Sequence, residues 1–179
     1  MSENTGIIIV DSKKEIRAAV KSLLLYAGFN EFAKNVLPAF PSSMAQIPCV
    51  SVLGTNFSET GMGLGDMADT LFDDEEDEIT EPEGTGYDET FDVRVWTLNA
   101  DERDQVGKML RGGTTIIRNA LTEKGLSNIK FSGGNDSFDY QNYGAPIHWY
   151  ISVISMFNPV ICGADAVEKI TRIDVGEGV

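Results

Sequence analysis

The chain has 179 residues, 42% hydrophobic and 23% charged, which is ordinary globular material with enough apolar side chains to bury a core. Its formal net charge of -14 argues against a nucleic-acid-binding surface, which needs a basic stripe to displace counterions. No run approaches the ~18 apolar residues of a membrane-spanning helix.

The charge is uneven. Twelve of the 28 acidic residues lie between positions 69 and 92, which hold no basic residue, so the remaining 16 acids face 14 bases. The pattern is a near-neutral domain bearing one acidic excursion. Cys49 and Cys162 sit in apolar surroundings, without metal-ligand spacing or a disulfide framework, and read as two buried, reduced thiols. The opening Met1-Ser-Glu-Asn has no basic stretch before an apolar run, so synthesis in the cytoplasm is expected.

In chain order, Gly6 to Val10 is a short β-branched run, expected as a strand or as an arm on a neighbour. Asp11 or Ser12 caps a helix whose apolar stripe is Ile16, Ala19, Val20, Leu23 and Leu24, with Gly28 as its stop. The segment to Pro48 holds Pro38, Pro41 and Pro48 and reads as loop with one helical turn, anchored by Phe29, Phe32, Val36, Leu37 and Phe40. Residues 49–54 are strand-like, and their natural neighbour is a strand at 89–98. Residues 56–88 read as a long loop or disordered tip inside that hairpin.

The strand at 89–98 is the clearest in the chain. Phe91, Val93 and Val95 alternate with Asp92 and Arg94, giving one buried and one wet face. Trp96 and Leu98 place apolar groups on the second face, which is therefore expected to be partly covered. A four-residue turn, 99–102, leads into the clearest helix, 103–124. Val106, Met109, Leu110, Gly113, Ile116, Ile117, Ala120 and Leu121 make its stripe. Asn99 is its N-cap, Glu102 suits a capping box, and Gly125 is its stop. Gly112 and Gly113 each cost about 1 kcal/mol relative to Ala in a helix interior. They imply close packing of helix on sheet or close approach to a partner subunit. Residues 126–132 read as a short strand, 133–136 as a turn, and Tyr140, Tyr143 and Pro146 as a loop. Ile147 to Phe157, apolar on both faces, is expected to be the central strand. The alternating tail 167–175 reads as a last strand or arm.

Chemistry is sparse in these residues. Gly61-Met-Gly-Leu-Gly65 lacks the spacing of a dinucleotide loop and a following Lys-Ser/Thr. The acidic run 73–78 lacks the spaced ligands of an EF-hand loop and reads first as a solvated face. His148 is the only histidine and lies in a strand, so a structural or interface role is expected. Without a second histidine or a poised cysteine, most nucleophile–base schemes lack a base. No catalytic, cofactor-binding or metal-binding residues are assigned, and no cofactor is expected. An acid-pair hydrolase stays open as an alternative.

The run Asp92-Val-Arg-Val-Trp-Thr-Leu-Asn-Ala-Asp-Glu-Arg103 followed by a helix, with the N-terminal helix and the Pro-Cys-Val-Ser-Val strand, resembles tail terminator and tail-completion proteins of tailed bacteriophages. The resemblance covers 90–160 closely and 12–55 loosely, while the acidic excursion at 56–88 is longer than that family suggests. It implies a structural virion protein, not an enzyme. Such a subunit forms a ring, typically a hexamer, that caps the tail tube and joins tail to head at the neck. Its implied partners are copies of itself, tail-tube proteins and head-completion proteins. DNA passes through the lumen without specific binding, and no membrane is involved.

The interface candidates are Arg94, Trp96, Arg103, Gly112, Gly113, His148 and Trp149. The expected architecture is one α+β domain, 1–179. It is a mostly antiparallel sheet of about four to five strands packed against two helices, with extended termini, 159–179 forming a strand or arm. The alternatives are another tail-tube or head-completion subunit, or an acidic module that mimics DNA.

Overall fold

Three strands of thirteen residues each frame the protein in this computed structural model, which describes residues 7–61, 71–73, 78–80, 85–134, 136–139 and 146–162. The elements are β1 (Ile7–Ile8), α1 (Ser12–Tyr26), α2 (Asn30–Lys34), β2 (Val36–Leu37), a 3₁₀ turn (Met44–Gln46), β3 (Cys49–Gly61), β4 (Leu71–Asp73) and β5 (Glu78–Thr80). They continue with β6 (Thr85–Thr97), α3 (Ala100–Gly112), α4 (Thr114–Thr122), β7 (Ser127–Ser132), β8 (Asp136–Asp139), β9 (Ile147–Pro159) and β10 (Ile161–Cys162). The fold is α+β. The main sheet runs β2-β3-β6-β9-β7, with β8 also paired to β9, and among the described residues only the β2–β3 pair is parallel.

Alternation in β6 decides which way the sheet faces. Val93 stands between Val52 and Ser152, and Val95 between Val50 and Tyr150, so these buried side chains share one face. The four α-helices of the described residues lie on that face, and their buried residues form one cluster with it. On α1, Asp11 accepts the Lys14 N–H at 3.0 Å, and the predicted stripe Ile16, Ala19, Val20, Leu23 and Leu24 is buried. Gly28 ends the helix at φ +82°, a conformation costly for residues with a Cβ.

The predicted helix 103–124 is two helices. The chain breaks at Gly113, which is buried against α1: a Cβ there would sit 2.3 Å from Leu23 Cδ2. Close packing of α1 there requires a residue without a Cβ, and among the described residues the helices of seven or more residues number three, not two. Close packing on the sheet falls instead to Gly107, where a Cβ would meet the Tyr150 ring at 3.0 Å. The capping box also differs. Asn99 Oδ1 accepts the Asp101 N–H at 2.8 Å, but Glu102 accepts from the Thr97 hydroxyl at 2.7 Å, and that hydroxyl in turn accepts the Asn99 N–H at 3.2 Å.

The segment before Pro48 is more ordered than a loop with one turn, since it holds α2, β2 and the 3₁₀ turn. The hairpin expected between 49–54 and 89–98 is longer, with pairing that runs to Gly61 and Thr85. β4 and β5 pair with each other inside the former loop, and β8 occupies part of the predicted turn and the loop after it. β9 is interior, but β6 holds the middle of the sheet order. β1 pairs with β10, so the N-terminal run is a strand. The tail 167–175, Tyr140, Tyr143 and the Gly61–Gly65 motif beyond Gly61 lie outside the described residues.

Candidate interaction surfaces

The second face of the main sheet carries no α-helix among the described residues, only the 3₁₀ turn near one end. Side chains cross it in rows fixed by register: Cys49, Trp96, Trp149; then Ser51, Arg94, Ile151; then Leu53, Asp92, Val153. The first row is covered. Leu37, Met44 and Ile47 pack on Cys49, Trp96 and Ile147, and Phe40 meets Trp96 edge-on at 5.7 Å. The later rows are open enough that Ile151, Leu53 and Val153 remain half-buried.

The interface candidates are dispersed by this geometry. Trp96 is inside the subunit, its Nε1 donating to Ser51 Oγ at 2.8 Å and its ring edge-on to Trp149 at 5.0 Å. Arg94 and Trp149 lie beside it on the helix-free face. Arg94 donates to Asp92 at 2.8 Å and its guanidinium sits 5.1 Å from the Phe40 ring centre. Arg94 Nε and Trp149 Nε1 are buried, and neither has an acceptor among the described residues. Such orphaned donors cost about 1–3 kcal/mol each. Arg103 is engaged with Asp104 at the start of α3. His148 pairs with Thr97 across β6–β9 on the opposite face. Gly112 is exposed with open space around it, while Gly113 is in the core.

β3 offers a free edge. β2 pairs with Val50 and Ser51 only, so from Val52 to Gly61 the outer side of β3 has no strand partner among the described residues. A bulge between Gly54 and Asn56 shifts the register there, and Thr55 Oγ1 donates to the Thr90 carbonyl at 3.0 Å. Bulges strengthen twist and commonly mark managed edges. Beyond the bulge Phe57 is 73% exposed, with only an edge contact to Tyr87 at 6.4 Å.

Two grooves on the helix side carry cations. One, of about 340 Å³, is lined by Arg111, Thr114, Arg118 and Phe131. Its arginines are engaged, Arg111 over the Tyr150 ring at 5.5 Å and Arg118 over Phe131 at 5.4 Å. The other, of about 300 Å³, lies between α1 and the α2–β2 segment and is lined by Lys14, Arg17, Lys21 and Lys34. The single-sequence reading missed this set, although Lys14, Arg17 and Lys21 fall at i, i+3 and i+7 of a helix.

Cys49 is fully buried, and burial pushes its thiol up to about 12. A thiol so placed is a packing group, not a nucleophile. Among the described residues, no three His, Cys, Asp or Glu side chains gather as metal ligands, and no helix is long and apolar enough to cross a membrane. No protein-family model matches the chain, and no curated protein matches it in sequence.

Proposed function

We propose that this chain is a structural subunit of a tailed-bacteriophage virion, a tail terminator or neck protein that assembles into a ring at the head-proximal end of the tail tube. The observation that carries the reading is the pairing of an open β3 edge with a helix-free sheet face. Leu53, Ile151 and Val153 are half-buried on that face, and Arg94 Nε and Trp149 Nε1 lack acceptors among the described residues. A free edge recruits backbone hydrogen bonds, and a half-covered apolar face recruits packing. Together they suit a subunit completed by its neighbours. The resemblance of residues 92–103 to the terminator family supplies the particular assembly.

Electron microscopy of the purified protein, with sedimentation velocity for mass, tests this reading. Closed rings that dock on tail-tube ends are expected. Leu53→Arg combined with Val153→Glu should disperse them into subunits whose circular dichroism is unchanged. Helical filaments would point to a tail-tube subunit instead. A strict monomer that ignores tubes would overturn the assignment.

A further inference from the structure

We infer that the groove between α1 and the α2–β2 segment receives the acidic stretch 69–84 of a second copy of this chain. The inference rests on the ring-subunit reading for its biological setting, but its chemistry stands by itself.

The receiving surface is a basic stripe. Lys14, Arg17, Ala18 and Lys21 line one side of the groove, at helical spacings of three, four and seven, and Lys34 lines the other. Arg17 is anchored, donating through Nε and Nη2 to the Val36 carbonyl at 3.2 and 2.9 Å, which fixes its cation at the groove floor. Lys34 is paired with Glu31 at 2.7 Å. The ammonium groups of Lys14 and Lys21 have no ion-pair partner among the described residues. The other acids near the stripe are Asp11, which caps the helix backbone, and Glu15. The helix carries Lys13, Lys14, Arg17 and Lys21 against Glu15 alone, in a chain whose net charge is -14.

That imbalance selects the occupant. Outside residues 69–92 the 16 remaining acids face 14 bases, so nearly all of the net charge of -14 lies in that one stretch. The acidic stretch is the complementary feature, with nine acids and no base from 69 to 84. Geometry favours a second copy over the same chain. The groove borders Val36, which pairs with Val50, and β3 then runs eleven residues to Gly61, a distance of about 35 Å at the rise of a strand. Thr85 pairs with Gly61, and Glu78 is seven residues before it, a tether of at most about 25 Å. The stretch is therefore tethered at the end of the hairpin opposite its own groove, so a neighbouring copy's groove is a natural receiver. Two different surfaces meeting in this way make a head-to-tail contact, the kind that closes rings when the rotation permits.

The test uses a fluorescent peptide of residues 69–84. The acceptor is the full chain with Asp73, Asp74, Asp77 changed to Asn and Glu75, Glu76, Glu78 changed to Gln, so that its own stretch does not compete. The peptide is expected to bind at low salt and to be released by about 0.5 M NaCl, where screening falls to a few ångströms. Lys14→Glu with Lys21→Glu should weaken it by roughly tenfold or more, and Lys14→Gln with Lys21→Gln by less, as expected for a set of partly exposed ion pairs. Both lysines are exposed, so the variants should keep the parent's circular dichroism. Unchanged peptide affinity in the Glu variant overturns the inference, as does a DNA duplex that binds the groove in preference to the peptide. Rings that persist while peptide binding is lost remove this contact from the assembly but leave the ring reading intact. Peptide binding by a chain that never forms rings does the reverse.

Discussion

Asn158 is the sharpest test of how the termini are held. It is fully buried on β9, and its amide nitrogen reaches the Val10 carbonyl at 2.8 Å, Ser12 Oγ at 2.9 Å and Glu89 Oε2 at 3.3 Å. One side chain therefore ties the entry to α1, the middle strand β6 and β9 together. Asn158→Asp keeps the shape but replaces the donor with an acceptor. The Val10 carbonyl loses one of its two donors but keeps the Ser12 N–H at 2.9 Å, a loss of about 1 kcal/mol. The Ser12 hydroxyl can turn and donate, so that contact survives. The new carboxylate faces Glu89, a repulsion of up to about 4 kcal/mol at an effective dielectric near 20, and less here because Glu89 is partly exposed. With the cost of placing a charge at this fully buried position, the sum is about 3–5 kcal/mol at neutral pH, a large share of a typical 5–15 kcal/mol total.

Asn158→Ala loses the same bonds without adding charge, at about 2–3 kcal/mol. Burial and Glu89 together raise the folded-state pKa of the introduced carboxyl above its unfolded value of about 3.9. Its penalty is therefore fully present above that raised pKa and shrinks as pH falls through it, because protonation restores a donor. Urea unfolding followed by circular dichroism at about pH 7.5 and about pH 4.5 reads both effects. Adding Glu89→Gln to the Asn158→Asp variant should recover part of the loss. An Asp variant no less stable than the Ala variant at neutral pH, or a deficit that does not narrow on acidification, would refute the argument.

Gly112 and Gly113 give a matched pair. Gly112→Ala has open space and gains helix propensity, so it should stabilise by up to about 1 kcal/mol. Gly113→Ala drives a methyl into buried Leu23, and it should destabilise by about 1–3 kcal/mol in thermal melts, with Leu23→Ala partly restoring tolerance. In a Cys162→Ser background, Cys49 should react with a thiol reagent only as fast as the protein unfolds. Because its folded-state pKa is raised from 9.0 to about 12, the unfolded thiol ionises first. The stabilisation is whole below about pH 9 and should be lost as pH rises from there towards 12, seen as a falling urea midpoint.

Local patterns account for much of what the chain displays on first reading. Period-two alternation at Phe91, Val93 and Val95 settles a strand with one core face, and the three- and four-residue steps from Ile16 to Leu24 settle α1. Both are properties of neighbouring residues, so a single sequence carries them. The acidic run is equally visible, as charge needs no fold to be counted. Contacts between distant residues are a different matter. Leu23 packs against Gly113 from ninety positions away, leaving no room for a Cβ there, and Ser51 satisfies Trp96 across a strand pair. Asn158 meets Val10 and Ser12 across almost the whole chain, with nothing beside it in sequence to announce a buried amide.

What the sequence by itself determined is therefore the identity of the main strands, the first helix and the separation of acids from bases, because each follows from spacing along the backbone. Tertiary structure alone decided that, among the described residues, β3 keeps an open edge and one sheet face lacks α-helices, and that Lys14, Arg17 and Lys21 border a groove. Those features depend on which elements become neighbours, and neighbourhood is set by the packing of the whole chain.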